Sequence, residues 1–113
     1  MLGKFTDIFG PGFPEVIYQR ALRIEMEKIS VSYLYEFEKD IYYEDNFIGN
    51  RRLDFLIDNK VLLELKATSE MENKDYNQII NYLRVFRMEV GLLLNFGSKS
   101  LQYKRFVNSL STD

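Results

Sequence analysis

Hydrophobic and polar positions change their period several times along this chain, and each change marks an element. Phe5, Ile8 and Phe9 fall at helical spacing before Gly10-Pro11-Gly12 interrupts the chain. From Phe13 to about Ser30 the stripe Phe13, Ile17, Ala21, Ile24 and Lys28, widened by Leu22 and Met26, predicts an amphipathic helix. Pro14 suits its first turn, where a missing N–H costs nothing. Glu15 lies where the helix dipole favours an anion, and Tyr18 shares its face beside the apolar stripe. Residues 31–43 alternate instead. Val31, Tyr33, Tyr35, Phe37, Ile41 and Tyr43 hold odd positions with Ser32, Glu36, Glu38 and Asp40 between them, which predicts a strand with an aromatic core face and a wet face. Glu44-Asp45-Asn46 turns the chain, Phe47 to Ile57 returns as a second strand with a bulge expected at Gly49 and Asn50, and Val61 to Lys66 forms a third.

A second helical pattern runs from Met71 to Arg87. Tyr76, Ile79, Ile80, Leu83 and Phe86 make its buried stripe, Gln78 and Tyr82 share a neighbouring one, and Thr68 or Ser69 is the expected cap. Val90 to Phe96 is a continuous apolar run, which predicts a strand buried on both faces. Gly97-Ser98 turns, Leu101 to Val107 reads as a last strand, and Ser109 to Asp113 is a tail. Helix, three-stranded antiparallel meander, helix, strand and final strand predict an α/β fold with a mixed sheet, its fourth strand made parallel to a meander strand by the crossover helix. With 113 residues, one domain spanning 1–113 is expected.

Composition narrows the chemistry. Apolar residues make up 46% of the chain, enough for a folded core, and no apolar run approaches the length of a membrane span. Met1-Leu2-Gly3-Lys4 carries no signal-peptide core, so a cytoplasmic protein with no membrane partner is expected. The absence of Cys removes disulfides and thiolate metal sites, and the absence of His removes His general bases and His-ligated zinc. Any metal must therefore be held by oxygen. A net charge of −2 counts mildly against nucleic acid, although carboxylates gathered at a metal site count as negative until the ion arrives.

One hairpin concentrates that oxygen chemistry. Apolar runs flank Asp58-Asn59-Lys60, and if these three residues form the loop, Ile57 faces Val61 and Asp54 faces Glu64. Glu64 and Lys66 then point to one side and Leu63 and Leu65 to the other. Two carboxylates facing each other repel; Lys66 on the same face offsets part of this, and a hard divalent cation with oxygen ligands would offset more. A two-residue loop would slip this register by one.

Asp54 followed by Glu64-Leu65-Lys66 on the next strand resembles the PD-(D/E)XK nuclease superfamily. Gln78-Ile79-Ile80-Asn81-Tyr82 is similar to the Gln-x-x-x-Tyr motif of its RecB-type branch, and Gly12-Phe13-Pro14-Glu15-Val16-Ile17-Tyr18 to the Gly-x-x-Glu-x-x-Tyr signature of a bacterial family within it. Gly91 to Gly97 and Lys104-Arg105 look like the same family. The resemblance implies a restriction-endonuclease-like core, flanked by helices, that binds Mg²⁺ or Mn²⁺ and hydrolyses phosphodiesters in DNA, or failing that RNA. By that analogy Asp54, Glu64 and the carbonyl of Leu65 are metal ligands, with Glu15 reaching the same ion. Lys66 orients water or stabilises developing charge, while Gln78 and Tyr82 hold the site or a substrate phosphate.

Each feature also has a plainer reading. Asp54, Glu64 and Lys66 could be a charge cluster on a half-wet sheet, Glu15 a dipole residue, Gln78 a surface amide and Tyr82 a core phenol. Arg51, Arg52, Lys104 and Arg105 suit solvent as well as phosphates. Beside the nuclease stands a nuclease-like binding or accessory module that does not cut, and, third, a purely structural interaction domain. The short chain leaves little surface to clamp a duplex, which favours a homodimer or a larger complex.

Overall fold

The computed structural model describes residues 9–109. Phe5 and Ile8, expected at helical spacing, and the end of the tail lie outside those residues. Helix α1, Glu15–Lys28, begins directly after Pro14, whose φ of −59° is helical while its ψ of 150° is not. The strands are β1 (Tyr33–Tyr43), β2 (Asn46–Ile57) and β3 (Val61–Lys66), followed by helix α2 (Asn73–Val85), β4 (Val90–Asn95) and β5 (Gln102–Val107). They form one five-stranded sheet in the order β1-β2-β3-β4-β5. Neighbours are antiparallel except β3 and β4, which α2 connects and so makes parallel. No described helix is long and apolar enough to cross a membrane.

Two turns fix the register. Glu44 and Asp45 both have positive φ and set Tyr43 opposite Asn46, so β2 starts one residue before Phe47. Asp58 and Asn59 do likewise, and Ile57 faces Val61 as the three-residue loop requires. The expected bulge lies beside Gly49: Ile41 pairs with Gly49 but Tyr42 with Phe47, which leaves Ile48 as the extra residue.

The helices cover opposite faces of the sheet. On one face Tyr18, Leu22 and Met26 of α1 pack with Phe55, Leu63, Leu65, Leu94 and Phe96; on the other Ile79 and Leu83 of α2 pack with Leu53, Leu56, Leu62 and Leu93. The buried side of α1 is therefore rotated from the predicted stripe, leaving Phe13 and Ile24 exposed. Tyr18 explains the rotation. Its ring stacks on Phe96 at 4.8 Å while its hydroxyl donates to Gly10 O at 2.7 Å, so the phenol reaches the core without losing a polar partner.

Helix α2 also starts later than the hydrophobic pattern suggests. Neither Thr68 nor Ser69 caps it; Glu72 N–H donates to Asp75 Oδ2 at 2.9 Å, closing the first turn from within. Thr68 N–H goes instead to Asn95 Oδ1 at 3.0 Å. The aromatic strand β1 is not a core strand. It lies at the sheet edge, and β2 leaves β3 after Phe55↔Leu63, so the outer part of the β1–β2 hairpin projects as a two-stranded arm. Tyr42, Tyr43, Phe47 and Ile48 stand exposed on it.

Candidate functional site

The site forms where β2 and β3 part. Their last ladder pair is Phe55↔Leu63, one pair short of the expected Asp54–Glu64 pairing. Beyond it the Asp54 side chain takes over from the missing strand backbone: Oδ2 accepts the Leu65 N–H at 2.7 Å. Leu63 and Leu65 pack towards α1, so alternation sends Glu64 and Lys66 to the α2 side, with Asp54 held at the split beside them.

The hairpin changes faces at this same level. Tyr35 and Phe55 are paired and look towards α1, where the Arg23 guanidinium lies 3.6 Å from the Tyr35 ring centre. The next ladder pair, Phe37 and Leu53, packs towards α2. Between them Glu36 takes a positive φ of 48°, and neither it nor Asp54 joins the ladder. The irregularity brings Glu36 and Asp54, with Arg52, to a cleft of about 190 Å³ whose other wall is Glu15, Val16 and Gln19 of α1. Gln19 Nε2 donates to Glu36 Oε1 at 3.4 Å.

Electrostatics tie these carboxyls together. Burial, and then the negative charge of Asp54, raise the Glu15 carboxyl above its ordinary value, with Lys66 partly offsetting them. Glu64 is only 7% exposed, and its Oε1 has no hydrogen-bond partner among the described residues. Burial, followed by hydrogen bonding to Asp54 and the charge of Asp54, pushes its carboxyl up to about 10. Beside Asp54 the buried Glu64 carboxyl thus resists ionisation, and added positive charge would relieve it. Among the described residues no three acidic side chains converge closely enough to hold an ion by themselves.

Lys66 is held by α2. Its Nζ donates to Gln78 Oε1 at 3.1 Å and lies 3.7 Å from Asp75 Oδ1, while Gln78 Nε2 donates to Tyr82 Oη at 3.1 Å. The spacing of residues 75, 78 and 82 along one helical side produces this chain of contacts. The structure therefore gathers Asp54, Glu64, Leu65 and Lys66, sets Glu15 within their electrostatic reach, and links Gln78 and Tyr82 to the ammonium. Tyr18 of the Gly-x-x-Glu-x-x-Tyr stretch is a core residue. Lys104 is not at the site: it lies over the Tyr76 ring at 4.5 Å on β5, beyond β4.

Sequence reasoning missed Glu36, Gln19 and Asp75. Asp75 had a signal, since a half-buried lysine facing a helix needs an anion one turn before Gln78. Glu36 had a weaker one: the two-residue turn at Glu44-Asp45 and one bulge place it across from Asp54.

A family model described as the PD-(D/E)XK nuclease superfamily matches residues 3–106. No curated protein matches the chain. A solved structure titled "Crystal structure of SSO0001" superposes with a TM-score of 0.65 at 18% identity, over 84% of this chain and 50% of that one. The chain thus spans about half the length of that protein, and at this identity the likeness speaks for the fold alone.

Proposed function

The chain belongs to the PD-(D/E)XK nuclease superfamily, and from that premise we propose that it is a divalent-metal-dependent nuclease hydrolysing phosphodiesters in DNA, with RNA the second choice. The observation that carries the reading is the buried Glu64 carboxyl, with one oxygen unpartnered beside Asp54. A site whose nearby donors are all oxygen and whose buried Glu64 carboxyl resists ionisation fits a hard cation such as Mg²⁺ or Mn²⁺. Asp54, Glu64 and the Leu65 carbonyl would hold it, with Glu15 closing the α1 side. When bound, such an ion activates water and polarises a phosphoryl oxygen.

The chain's own groups supply the rest. Glu64 would hold such an ion as the carboxylate, its proton passing to solvent. Lys66, fixed by Gln78 and Asp75, keeps a point charge where phosphoryl charge develops, without needing to reorganise during the reaction. The Tyr82 hydroxyl accepts from Gln78 and keeps its own hydrogen for a phosphate oxygen. The Gly12, Glu15 and Tyr18 stretch supports placement in the Gly-x-x-Glu-x-x-Tyr family, and Gln78 with Tyr82 supports the RecB-type branch.

Calorimetry with Mg²⁺ and Mn²⁺ on the wild type and Asp54→Ala tests this, alongside assays on linear and circular, single- and double-stranded substrates. The expected result is metal binding and metal-dependent cleavage in the wild type, with binding lost and cleavage at least about a hundredfold lower in the variant. Metal binding without cleavage of any substrate would convert the reading to a non-cutting accessory module. No binding at all would overturn the metal assignments.

A further inference from the structure

The projecting arm has two unlike sides. Towards α1 it shows Glu36 and Arg52 at the carboxylate cleft. Alternation puts Glu38 and Asp40 on that side too, with Glu38 paired against Arg52. Towards α2 it shows Phe37, Lys39, Ile41 and Arg51. Phe37 packs into the α2 core cluster, and Lys39 Nζ lies 5.6 Å from the Phe86 ring centre. Lys39 and Arg51 are themselves cross-strand partners. Like charges directly opposite are unfavourable, and neither has a carboxylate within 4 Å among the described residues.

Between this side of the arm and α2 runs an open groove of about 490 Å³. Ile41 and Arg51 form one wall; Lys74, Asn77, Asn81 and Val85 form much of the other. Its lining contains no carboxylate, in a chain that carries 17 acidic residues against 15 basic ones. Lys74 is only loosely paired, 3.9 Å from Glu72, with both side chains mostly exposed. Gln78 and Tyr82 belong both to this groove and to the hydrogen-bonded chain that ends on Lys66, so the groove opens onto the site.

We propose that this groove is the track for one unpaired polynucleotide strand, its phosphates on Arg51 and Lys74 and a base covering Ile41, Tyr82 and Val85. The inference rests on the nuclease reading above and adds the substrate class. Cations fix a backbone without reading sequence, and the side-chain amides bond to phosphate or base edges. An apolar floor between them is covered by a base only if that base is free of its stack. The other side of the arm carries Glu36, Glu38 and Asp40 against Arg52 alone, a surface that disfavours a second phosphate backbone. The acidic side thus excludes what the basic side attracts.

Fluorescence anisotropy with labelled oligothymidylate, and with a blunt duplex of the same length, tests the track in EDTA, where no turnover occurs. The single strand is expected to bind at least about tenfold more tightly than the duplex. The double variant Arg51→Glu/Lys74→Glu is expected to weaken single-strand binding by about tenfold or more and to flatten its salt dependence. Asn81→Asp, an exposed near-isosteric change, should weaken it as well, whereas Arg20→Glu on exposed α1 surface should not. Equal affinity for duplex, wild-type binding by the double variant, or no binding of either oligonucleotide overturns the track. Binding as expected without cleavage in Mg²⁺ or Mn²⁺ sinks the nuclease reading and leaves the track standing. Cleavage indifferent to the groove variants does the reverse.

Discussion

At the scale of single residues, Glu64 carries the most information, because its environment sets opposite demands with and without an ion. In the metal-free protein the folded state holds the Glu64 proton up to about 10, whereas the unfolded chain releases it near 4.5. The folded state therefore binds more protons across that window. The contribution to stability is fully present below 4.5 and is lost progressively as pH rises towards about 10. Denaturation midpoints measured in EDTA across this range should fall with pH, and Glu64→Gln should flatten the dependence. Mn²⁺, which displaces the proton, should restore stability at the alkaline end and release acid on binding. A wild-type profile as flat as that of the variant would refute the burial argument. Asp54, Glu64 and Lys66 were legible together from the hairpin register, although the ladder ends one pair short of Asp54 and Glu64; Gln78 and Tyr82 were legible as one helical stripe, and only the resemblance joined them to the others. For Glu36 only the hairpin register was legible; the positive φ that reverses its alternation and turns it to the cleft has no sequence mark.

At the scale of elements, the strands were more legible than the helices' faces. Turn residues that accept positive φ fixed both hairpins, and the long apolar run identified β4. The face of α1 was misread because Tyr18 counts as polar at its hydroxyl yet buries its whole ring. The start of α2 was misread because a carboxylate three residues inside the helix, not a hydroxyl before it, satisfies the first turn. The joint that holds β3 to β4 beyond the site was also invisible. Fully buried Asn95 accepts the N–H groups of Thr68 and Gly97 through Oδ1 and donates to Gln102 Oε1 at 3.0 Å through Nδ2. Gly97 lies so close that an added Cβ would stand 2.3 Å from both the N and the O of Thr68. Because the obstacle is backbone, Gly97→Ala must push the end of β3 away from β4 and break the Asn95 contacts. A loss of about 1–3 kcal/mol in urea denaturation is expected. Lys66 lies two residues before Thr68, so cleavage should fall by more than the folded fraction explains. A variant as stable and as active as the wild type would show that the joint yields without moving β3.

At the scale of the whole molecule, the proposed track assigns folding to the core and substrate contact to the arm. The Cα radius of gyration is 14.9 Å, above the about 13 Å expected of a compact chain of this length, and the principal extents are 47 × 32 × 25 Å. The arm adds to that excess: on the hairpin the α1-side cluster ends at Phe55 and the α2-side cluster at Phe37 and Leu53, with nothing from residues 40–50 inside either. Such a projection adds little packing energy, and its strands pair chiefly with each other. Replacing residues 40–50 by an Asn-Gly turn, joined to the Lys39–Arg51 pair, should therefore change folding stability by less than about 1 kcal/mol. Metal binding, which depends on groups below the arm, should persist in calorimetry. Single-strand binding should weaken, because Ile41 is removed and the groove loses the outer part of its arm-side wall. Loss of folding in the shortened chain would mean that the arm contributes to the core after all. Full retention of strand affinity would place the contacts closer to the site, on α2 and the retained Arg51. The two measurements together separate an arm that is part of the fold from one that exists to meet substrate, and the exposed Tyr42, Phe47 and Ile48 at its end favour the second.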